Sequence, residues 1–326
     1  MAATSTTETW DEAWTLTMRA KRKRLTDNIS DSYPTINKFK GSKMMETENG
    51  GKQFQEDLMY ALDTSQWFDG FDTLNTDSTD GVTAAFYNPR YVATPITISM
   101  TEEKESKKSD AAMKLLESKT KRAMVTHFDT VNSSLHTAQS GKAIIGLPDV
   151  VSTSSGATLG GINSTNETWW DNKRENATSD TSFLTASGST VEGLIRMKNL
   201  WNSVCEGNDK PDCIVTTFAL GGDYESLFEG GTYLRLSASD KSDLDGTDTH
   251  YRNAEVIMDR DCGSGLIYML QSKYLKFKIL SGLNFAKTPF REPANQLAKV
   301  AFIVLGAQLT TNNRRRQGVV YNVTSS

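Results

Sequence analysis

A long run of helical periodicity dominates the hydrophobic pattern of this chain. Residues 99–138 contain no Gly or Pro. Apolar or small residues recur there at steps of three or four, which places them on one face of an α-helix. Ser99 and Glu102 form an S-x-x-E capping box at the start. A helix over 102–138 would be on the order of 50 Å long, so the pattern predicts a spine on which other elements are laid. The residues of the stripe are Met113, Leu116, Thr120, Met124, Phe128, Val131 and Leu135.

The residues before this spine are predicted to be mostly extended. Ser32-Tyr33-Pro34 is expected to end an N-terminal helix, and strands are predicted near 53–62, 82–87 and 91–100, the last one interrupted by Pro95. The segment between the first two strands is rich in Asp, Thr and Gly. The pattern predicts a long two-stranded loop, which is marginally stable by itself in water and therefore needs a neighbour to cover it.

The residues after 190 have the pattern of a compact α/β region. Leu275, Phe277 and Ile279 alternate with Lys276 and Lys278, which predicts a β-strand. Helices are predicted over 191–205 and 220–228, and strands over 213–217, 255–258, 265–270, 274–280, 298–309 and 318–323.

Two tryptophans lie on one face of a predicted helix within residues 1–30. Trp10 and Trp14 need a surface to cover, and we expect it to belong to another part of the chain or to another subunit. Four basic residues at 21–24 suit the C-terminal end of this helix, where cations meet the negative end of the dipole. The alternative is a nucleic-acid contact or a nuclear signal.

Composition excludes some classes of protein. The 326 residues carry 36 Lys and Arg against 40 Asp and Glu, a net charge of −4, so the basic excess typical of nucleic-acid binders is missing. Three irregularly spaced cysteines indicate neither a disulfide framework nor a zinc site, and we expect buried thiols in a reducing cytoplasm. The longest apolar run, at 300–309, is about half a membrane span, so we expect a soluble protein with no membrane partner.

The sequence offers no convincing catalytic constellation. A calcium-loop alignment over 241–252 fails because Lys241 and Arg252 stand where acids are required. His127, His136 and His250 share no metal-ligand face, so packing or surface roles are favoured for them. Phosphate-loop, dinucleotide and nucleophile-elbow motifs do not occur. We therefore expect no catalytic residue, no cofactor, no metal and no enzymatic activity.

The sharpest charge cluster is Arg314, Arg315 and Arg316. One interpretation is a phosphate contact. The other is that the guanidinium forks pair with carboxylates across an interface, and the acidity of the chain favours this second interpretation.

Several sequence blocks, in this order along the chain, carry a resemblance to a known family. They are DNI at 27–29 before Tyr33-Pro34, WFDGFDTL at 67–74, DGVTAA at 80–85, GGIN at 160–163 with WWDN at 169–172, and NRRRQGV at 313–319. Together they resemble the major capsid proteins of tailed bacteriophages, in the podovirus-like and prophage coat-protein branch. The resemblance implies an α+β, Hong Kong 97-like capsid fold.

The resemblance also implies a division of the chain. Residues 1–50 would be an N-terminal arm and 51–101 an extended E-loop over an adjacent subunit. Residues 102–189 and 285–326 would form a P-domain with the spine helix at 102–138, and 190–284 an α/β A-domain. The candidate assembly-interface residues are Trp10, Trp14, Trp67, Phe68, Phe71, Lys121, Arg314, Arg315 and Arg316. No Lys occurs at 53–103, so we expect no covalent cross-link from the loop.

The function implied by the resemblance is that of a shell subunit. Copies would assemble into pentamers and hexamers of an icosahedral phage head enclosing double-stranded DNA, which they would contact weakly and non-specifically. Scaffolding, portal and decoration proteins would be further partners, and assembly would take place in the bacterial cytoplasm. The alternatives are an encapsulin-like compartment shell and a non-shell α/β binding protein or enzyme.

Overall fold

The computed structural model describes residues 32–77, 80–105, 109–177, 181–187, 190–229, 249–294 and 296–325. It is an α+β structure. Its helices are α1 (Pro34–Gly41), α2 (Met100–Glu105), α3 (Ser109–His136), α4 (Leu147–Val150), α5 (Glu192–Val204) and α6 (Phe218–Glu229). Short 3₁₀ turns cover Thr168–Trp170, Ser272–Tyr274 and Arg314–Arg316.

The strands occur in runs between and after these helices. They are β1 (Met45–Glu48), β2 (Phe54–Met59), β3 (Val82–Tyr87), β4 (Arg90–Ser99), β5 (Thr158–Leu159), β6 (Ile162–Asn163), β7 (Lys173–Asn176), β8 (Ala186–Ser187), β9 (Thr190–Val191), β10 (Cys213–Thr216), β11 (His250–Tyr251), β12 (Ala254–Met258), β13 (Ile267–Leu270), β14 (Leu275–Leu280), β15 (Ala286–Lys287), β16 (Ala298–Thr311) and β17 (Gly318–Tyr321).

The long strand β16 organises a five-stranded sheet against the spine. It pairs antiparallel with β4, from Ala298 opposite Ser99 to Ala307 opposite Arg90, and also with β14 and β15. Strand β1 lies parallel to β14, and α3 packs on β4. The described residues of the predicted apolar stripe are all buried, which confirms that face of the helix: Leu116, Thr120, Met124, Phe128, Val131 and Leu135.

The predicted capping box is present where the spine begins. The Ser99 N–H donates to Glu102 at 2.9 Å, and the Glu102 N–H donates to Ser99 Oγ at 3.2 Å. The Lys119 ammonium lies 2.6 Å from the same Glu102 carboxylate and lowers its pKa. The predicted spine consists of α2 and α3, and residues 106–108 between them lie outside the described residues.

A six-stranded sheet forms the second layer, with the strand order β11-β12-β10-β13-β17-β7. It does not follow the predicted segment boundaries. Strand β14, placed by the sequence with the A-domain, pairs with β16 in the first sheet. Strands β7 and β17, placed with the P-domain, lie beside β13 in the second sheet. Chain order therefore did not reveal which sheet each late strand joins.

Two prolines behave differently from the sequence expectation. Pro34 begins α1 instead of introducing an extended segment, because a proline fits the first helical position, whose N–H has no helical partner. Pro95 does not interrupt β4, which runs through it opposite Phe302. Strand β4 pairs on one side only among the described strands, and an edge strand tolerates a residue that lacks an N–H.

Candidate assembly surfaces

The loop between β2 and β3 closes tightly at its base. The two strands pair from Phe54 opposite Tyr87 to Met59 opposite Val82, and the Tyr60 N–H then donates to the Gly81 carbonyl at 2.9 Å. A Cβ atom at Gly81 would lie 2.5 Å from the Ala61 carbonyl oxygen, so glycine is needed for this close approach. The described residues 60–77 beyond the closure contain neither helix nor strand.

The tip of this loop carries aromatic side chains in solvent. The Asp69 N–H donates to the Asp72 carboxylate at 2.8 Å, and the Asp72 N–H donates to the Asp69 carbonyl at 3.1 Å, around Gly70 at φ 51°. Trp67 is 103% exposed and Phe71 107%. Clustered apolar exposure of this kind is typical of an interaction surface. We use "loop tip" for residues 66–74.

A buried lysine holds the base of the loop to the first sheet. The Lys278 ammonium lies 2.8 Å from Glu48 on β1 and 2.9 Å from Glu56 on β2. Burial opposes the charged form of Lys278, but its hydrogen bonds to both carboxylates outweigh that cost and raise its pKa. Although Lys278 alternates with apolar residues along β14, it is buried, because Glu48 on the neighbouring strand β1 and Glu56 on β2 both contact its ammonium. Thr310 on β16 also donates to Glu56, at 2.7 Å.

The structure corrects the expectation for Arg314. Its side chain is completely buried, and its guanidinium donates to the carbonyls of Val150, Ala157 and Asp149 at 2.7, 3.1 and 3.0 Å. Burial lowers the pKa of the Arg314 guanidinium. The fork thus satisfies three backbone acceptors inside the chain and is not presented to a neighbour.

Arg315 and Arg316 lie at the surface end of the same turn. Arg315 is exposed. The Arg316 Nη2 lies 2.6 Å from Glu206, so this arginine has a carboxylate partner within its own chain, while its Nε is buried without a hydrogen-bond partner. The role of these two residues at an interface stays a prediction.

A cleft lies between this turn and the start of the loop. It has a volume of about 230 Å³ and is lined by residues 58–62, Trp169, Trp170, Glu206, Asn312, Asn313, Arg315 and Arg316. The Tyr60 and Trp169 rings stack with their centroids 5.1 Å apart. Trp169 packs in turn on the buried Trp170. The arrangement places stacked aromatic rings beside two guanidinium groups.

The other sequence candidates are separate from this cleft. Phe68, at 66% exposure, lies on the loop tip. Lys121 is exposed on the solvent side of α3, opposite the buried stripe. Trp10 and Trp14 lie outside the described residues.

A buried carboxylate that the sequence reasoning missed joins three parts of the fold. Asp259, just after β12, accepts hydrogen bonds from Thr35 on α1 at 2.7 Å and from Asn132 on α3 at 3.1 Å, and His136 Nε2 lies 3.3 Å away. Burial would raise the pKa of Asp259, but the hydrogen bonds from His136 and Thr35 hold it well below the ordinary range. The spacing of Asn132 and His136, four apart on one helix face, was the available signal.

His127 is also buried on α3. Its Nδ1 lies 2.9 Å from Thr94 Oγ1, and its Nε2 has no hydrogen-bond partner. Burial lowers the pKa of His127 to about 4. Of the surface and packing roles considered for the histidines, His127 and His136 have the packing role, since both are buried.

Solved structures of capsid shells are similar to this one. A chain of the cyanophage A-1(L) capsid aligns with a TM-score of 0.66, covering 87% of this chain and 91% of that chain at 16% identity. A chain of the native GTA particle capsid aligns with a TM-score of 0.61, covering 86% and 89% at 9% identity. This chain has the Hong Kong 97-like fold.

The Hong Kong 97-like fold is also similar to that of an encapsulin. A chain of the SrpI encapsulin complex from Synechococcus elongatus PCC 7942 aligns with a TM-score of 0.55, covering 86% of each chain at 11% identity. No family model matches the sequence, and no curated protein matches it. The fold thus rests on structural similarity.

Among the described residues of this Hong Kong 97-like chain, no helix is both long and apolar enough to cross a bilayer. No group of three or more His, Cys, Asp or Glu side chains in that part could hold a metal ion. The three cysteines are free, with Cys213 and Cys262 buried and Cys205 partly exposed.

Proposed function

We propose that this chain is the major capsid protein of a tailed bacteriophage. Copies of it assemble into the pentamers and hexamers of an icosahedral shell that encloses double-stranded DNA. In this assignment residues 51–101 are the E-loop, and α2 and α3 are the spine of the P-domain. The arm formed by 1–50 would place Trp10 and Trp14 under neighbouring subunits. The protein acts as a structural subunit of the virion and not as an enzyme.

The observation that carries this proposal is the contrast between the loop's base and its tip. The base is held by the buried Lys278, with Glu48 and Glu56 as its partners. The tip exposes Trp67 and Phe71 completely. A fixed base directs these rings away from their own chain, and burying them against another copy would gain hydrophobic free energy that the single chain does not obtain.

A protein-compartment shell is the second candidate function, because the SrpI encapsulin complex shares the fold. The cyanophage and GTA capsids share the same fold, so the fold by itself does not separate the two kinds of shell. Neighbouring genes separate the two: portal and terminase genes support a phage head, whereas an enzyme with a docking tail supports a compartment.

We propose the remaining partners by the same reasoning. Scaffolding, portal and decoration proteins would meet the shell during its assembly in the bacterial cytoplasm. The packaged DNA would be contacted weakly through sparse basic groups, with binding lost as salt increases. Tight, sequence-selective binding to short duplexes would contradict this.

Recombinant assembly tests the proposal. The chain would be produced alone and together with the proteins encoded beside it, and particles would be sized by light scattering and imaged by negative-stain electron microscopy. We expect closed shells of uniform diameter. A chain that stays monomeric in every combination would overturn the proposal.

A charge reversal on the spine gives a matched comparison. Lys121→Glu, on the solvent face of α3, should leave the thermal midpoint unchanged and reduce the yield of shells. Lys142→Glu makes the same change at an exposed residue outside the spine helix and should assemble normally. Equal behaviour of the two variants would remove Lys121 from the interface.

A further inference from the structure

The loop tip and its surroundings have one sign of charge. Between residues 61 and 81 stand Asp63, Asp69, Asp72, Asp77 and Asp80, with no Lys or Arg. Asp69 and Asp72 flank Gly70 in the turn that also presents Phe71. The loop therefore offers aromatic rings within an acidic surface. Such a surface needs a receiving site that is both aromatic and positively charged.

The cleft beside the start of the loop has those two properties. Tyr60 and Trp169 form its aromatic wall. Glu206 contributes one negative charge, which Arg316 balances at 2.6 Å. Arg315 forms no hydrogen bond or ion pair with the residues that the structure describes, so the lining keeps a positive charge without a partner.

The tip of the same chain does not fill this cleft. Trp67 and Phe71 are fully exposed although the cleft includes residues 58–62 of their own loop. About ten residues separate the closure at Tyr60 from Gly70, and ten extended residues span at most about 35 Å. The tip can therefore reach well away from its own base.

Another depression on the chain fits the tip less well. It is lined by Pro289, Arg291, Glu292, Pro293 and Phe302 among others and is largely apolar. Arg291 and Glu292 carry opposite charges, so this depression offers no net attraction to an acidic loop. The charge balance favours the cleft beside Arg315.

We propose that the loop tip of one copy docks into this cleft of a second copy, with Trp67 or Phe71 against the Tyr60–Trp169 wall and the Asp69–Asp72 turn beside Arg315. The assignment deepens the proposed function, on which it rests, by naming the receiving surface for the loop. Aromatic and arginine side chains commonly dominate the binding energy of such contacts. A guanidinium beside a carboxylate also fixes the register.

Charge exchange tests the pairing. Arg315→Asp and Asp72→Arg should each raise the concentration needed for assembly about tenfold, which corresponds to about 1.4 kcal/mol per contact. Combining the two changes should restore assembly to within about threefold of the unmodified chain. Arg291→Asp, at an exposed arginine outside the cleft, is the control and should assemble normally.

Position-specific cross-linking gives the second readout. A photoreactive phenylalanine analogue at position 67, in assembled particles made from mixed ¹⁴N and ¹⁵N chains, should link to residues 58–62, 169 or 312–316 of a different copy. Cross-links to the outer face of α3 or to Phe302 would overturn this inference and leave the shell function intact. A charge exchange that does not restore assembly would have the same consequence. Failure of the unmodified chain to form particles would instead count against the shell function.

Discussion

The interior of this chain and its loop tip each contain side chains of the kind usually found in the other. In a solitary folded chain, charged side chains usually lie in solvent and large apolar side chains in the interior. Lys278, Arg314 and Asp259 are charged and buried. Trp67 and Phe71 are apolar and fully exposed. Each buried charge has close hydrogen-bond partners within the chain, which is the condition under which burial is tolerated. The comparison teaches that the single chain provides partners for its buried charges, whereas the apolar rings of its loop tip would be buried only by another molecule.

The largest effect on the interior should come from Arg314→Met. The change leaves the buried carbonyls of Val150 and Asp149 without the Arg314 donor, whereas the Ala157 carbonyl keeps its hydrogen bond from Ser164. We expect a loss of about 3–5 kcal/mol in the free energy of unfolding. Urea denaturation of the unassembled chain would measure it. Arg315→Met, one residue further and exposed, should change the value by less than about 0.5 kcal/mol. A small effect at Arg314 would mean that its burial does not support the fold.

A pH effect should follow from His127. Its pKa is lowered to about 4 in the folded chain, against about 6.5 when unfolded. The unfolded state therefore binds the proton more readily, and the stability contribution is fully present above pH 6.5 and is lost as the pH falls towards 4. The loss amounts to about 3 kcal/mol.

His127→Asn removes this titration. An amide can still pair with Thr94, so stability measured by urea denaturation should vary less between pH 6.5 and 4 than in the unmodified chain. His250→Asn changes an exposed side chain and should leave the pH dependence as it was. If the two variants have the same pH profile, His127 is not the titrating group.

A smaller loss is expected at the base of the loop. Lys278→Met leaves Glu48 and Glu56 without their shared cation, and Glu48 is partly exposed, so screening reduces the cost to about 2 kcal/mol. Amide hydrogen exchange should speed up along β2 and β3. Lys276→Met, on the same strand and paired with a more exposed Glu46, should change exchange little. Unchanged protection in the Lys278 variant would mean that the loop is held by its backbone pairing alone.

The smallest effect on the isolated chain should come from the loop tip. Trp67→Ser combined with Phe71→Ser removes two fully exposed rings, so the free energy of unfolding should stay within about 0.5 kcal/mol. Particle formation, followed by light scattering, should fail. Trp170→Ser, which empties a buried site, should instead lower stability by about 3–5 kcal/mol. Normal assembly of the double variant would show that the tip's exposure has no role in the shell.

Much of the local structure followed from periodicity. The buried stripe of α3, the Ser99–Glu102 capping box and the strand predicted over 298–309 depend on residues close in sequence. Such patterns indicate which side chains share a face and where a helix begins. Trp67 and Phe71 were interface candidates through the family resemblance, and periodicity did not indicate that their rings are exposed.

The partners of the charged side chains could not be predicted in this way. Lys278 and Lys276 have the same position in an alternating strand, yet only Lys278 is buried, since β1 and β2 cover it from more than 200 residues away. Arg314 and Arg315 are adjacent and chemically identical, yet one serves three interior carbonyls and the other faces solvent.

The sequence by itself therefore determined the spine, most of the strands and the acidic aromatic loop. The tertiary structure alone decided that β14 joins the first sheet and β17 the second, that Asp259 links α1 to α3, and that Arg315 and Arg316 border a cleft with Trp169. The physical reason is the distance along the chain over which each interaction acts. Periodicity and capping act within one or two helical turns, whereas sheet membership and the satisfaction of a buried charge depend on groups that only the folded chain brings together.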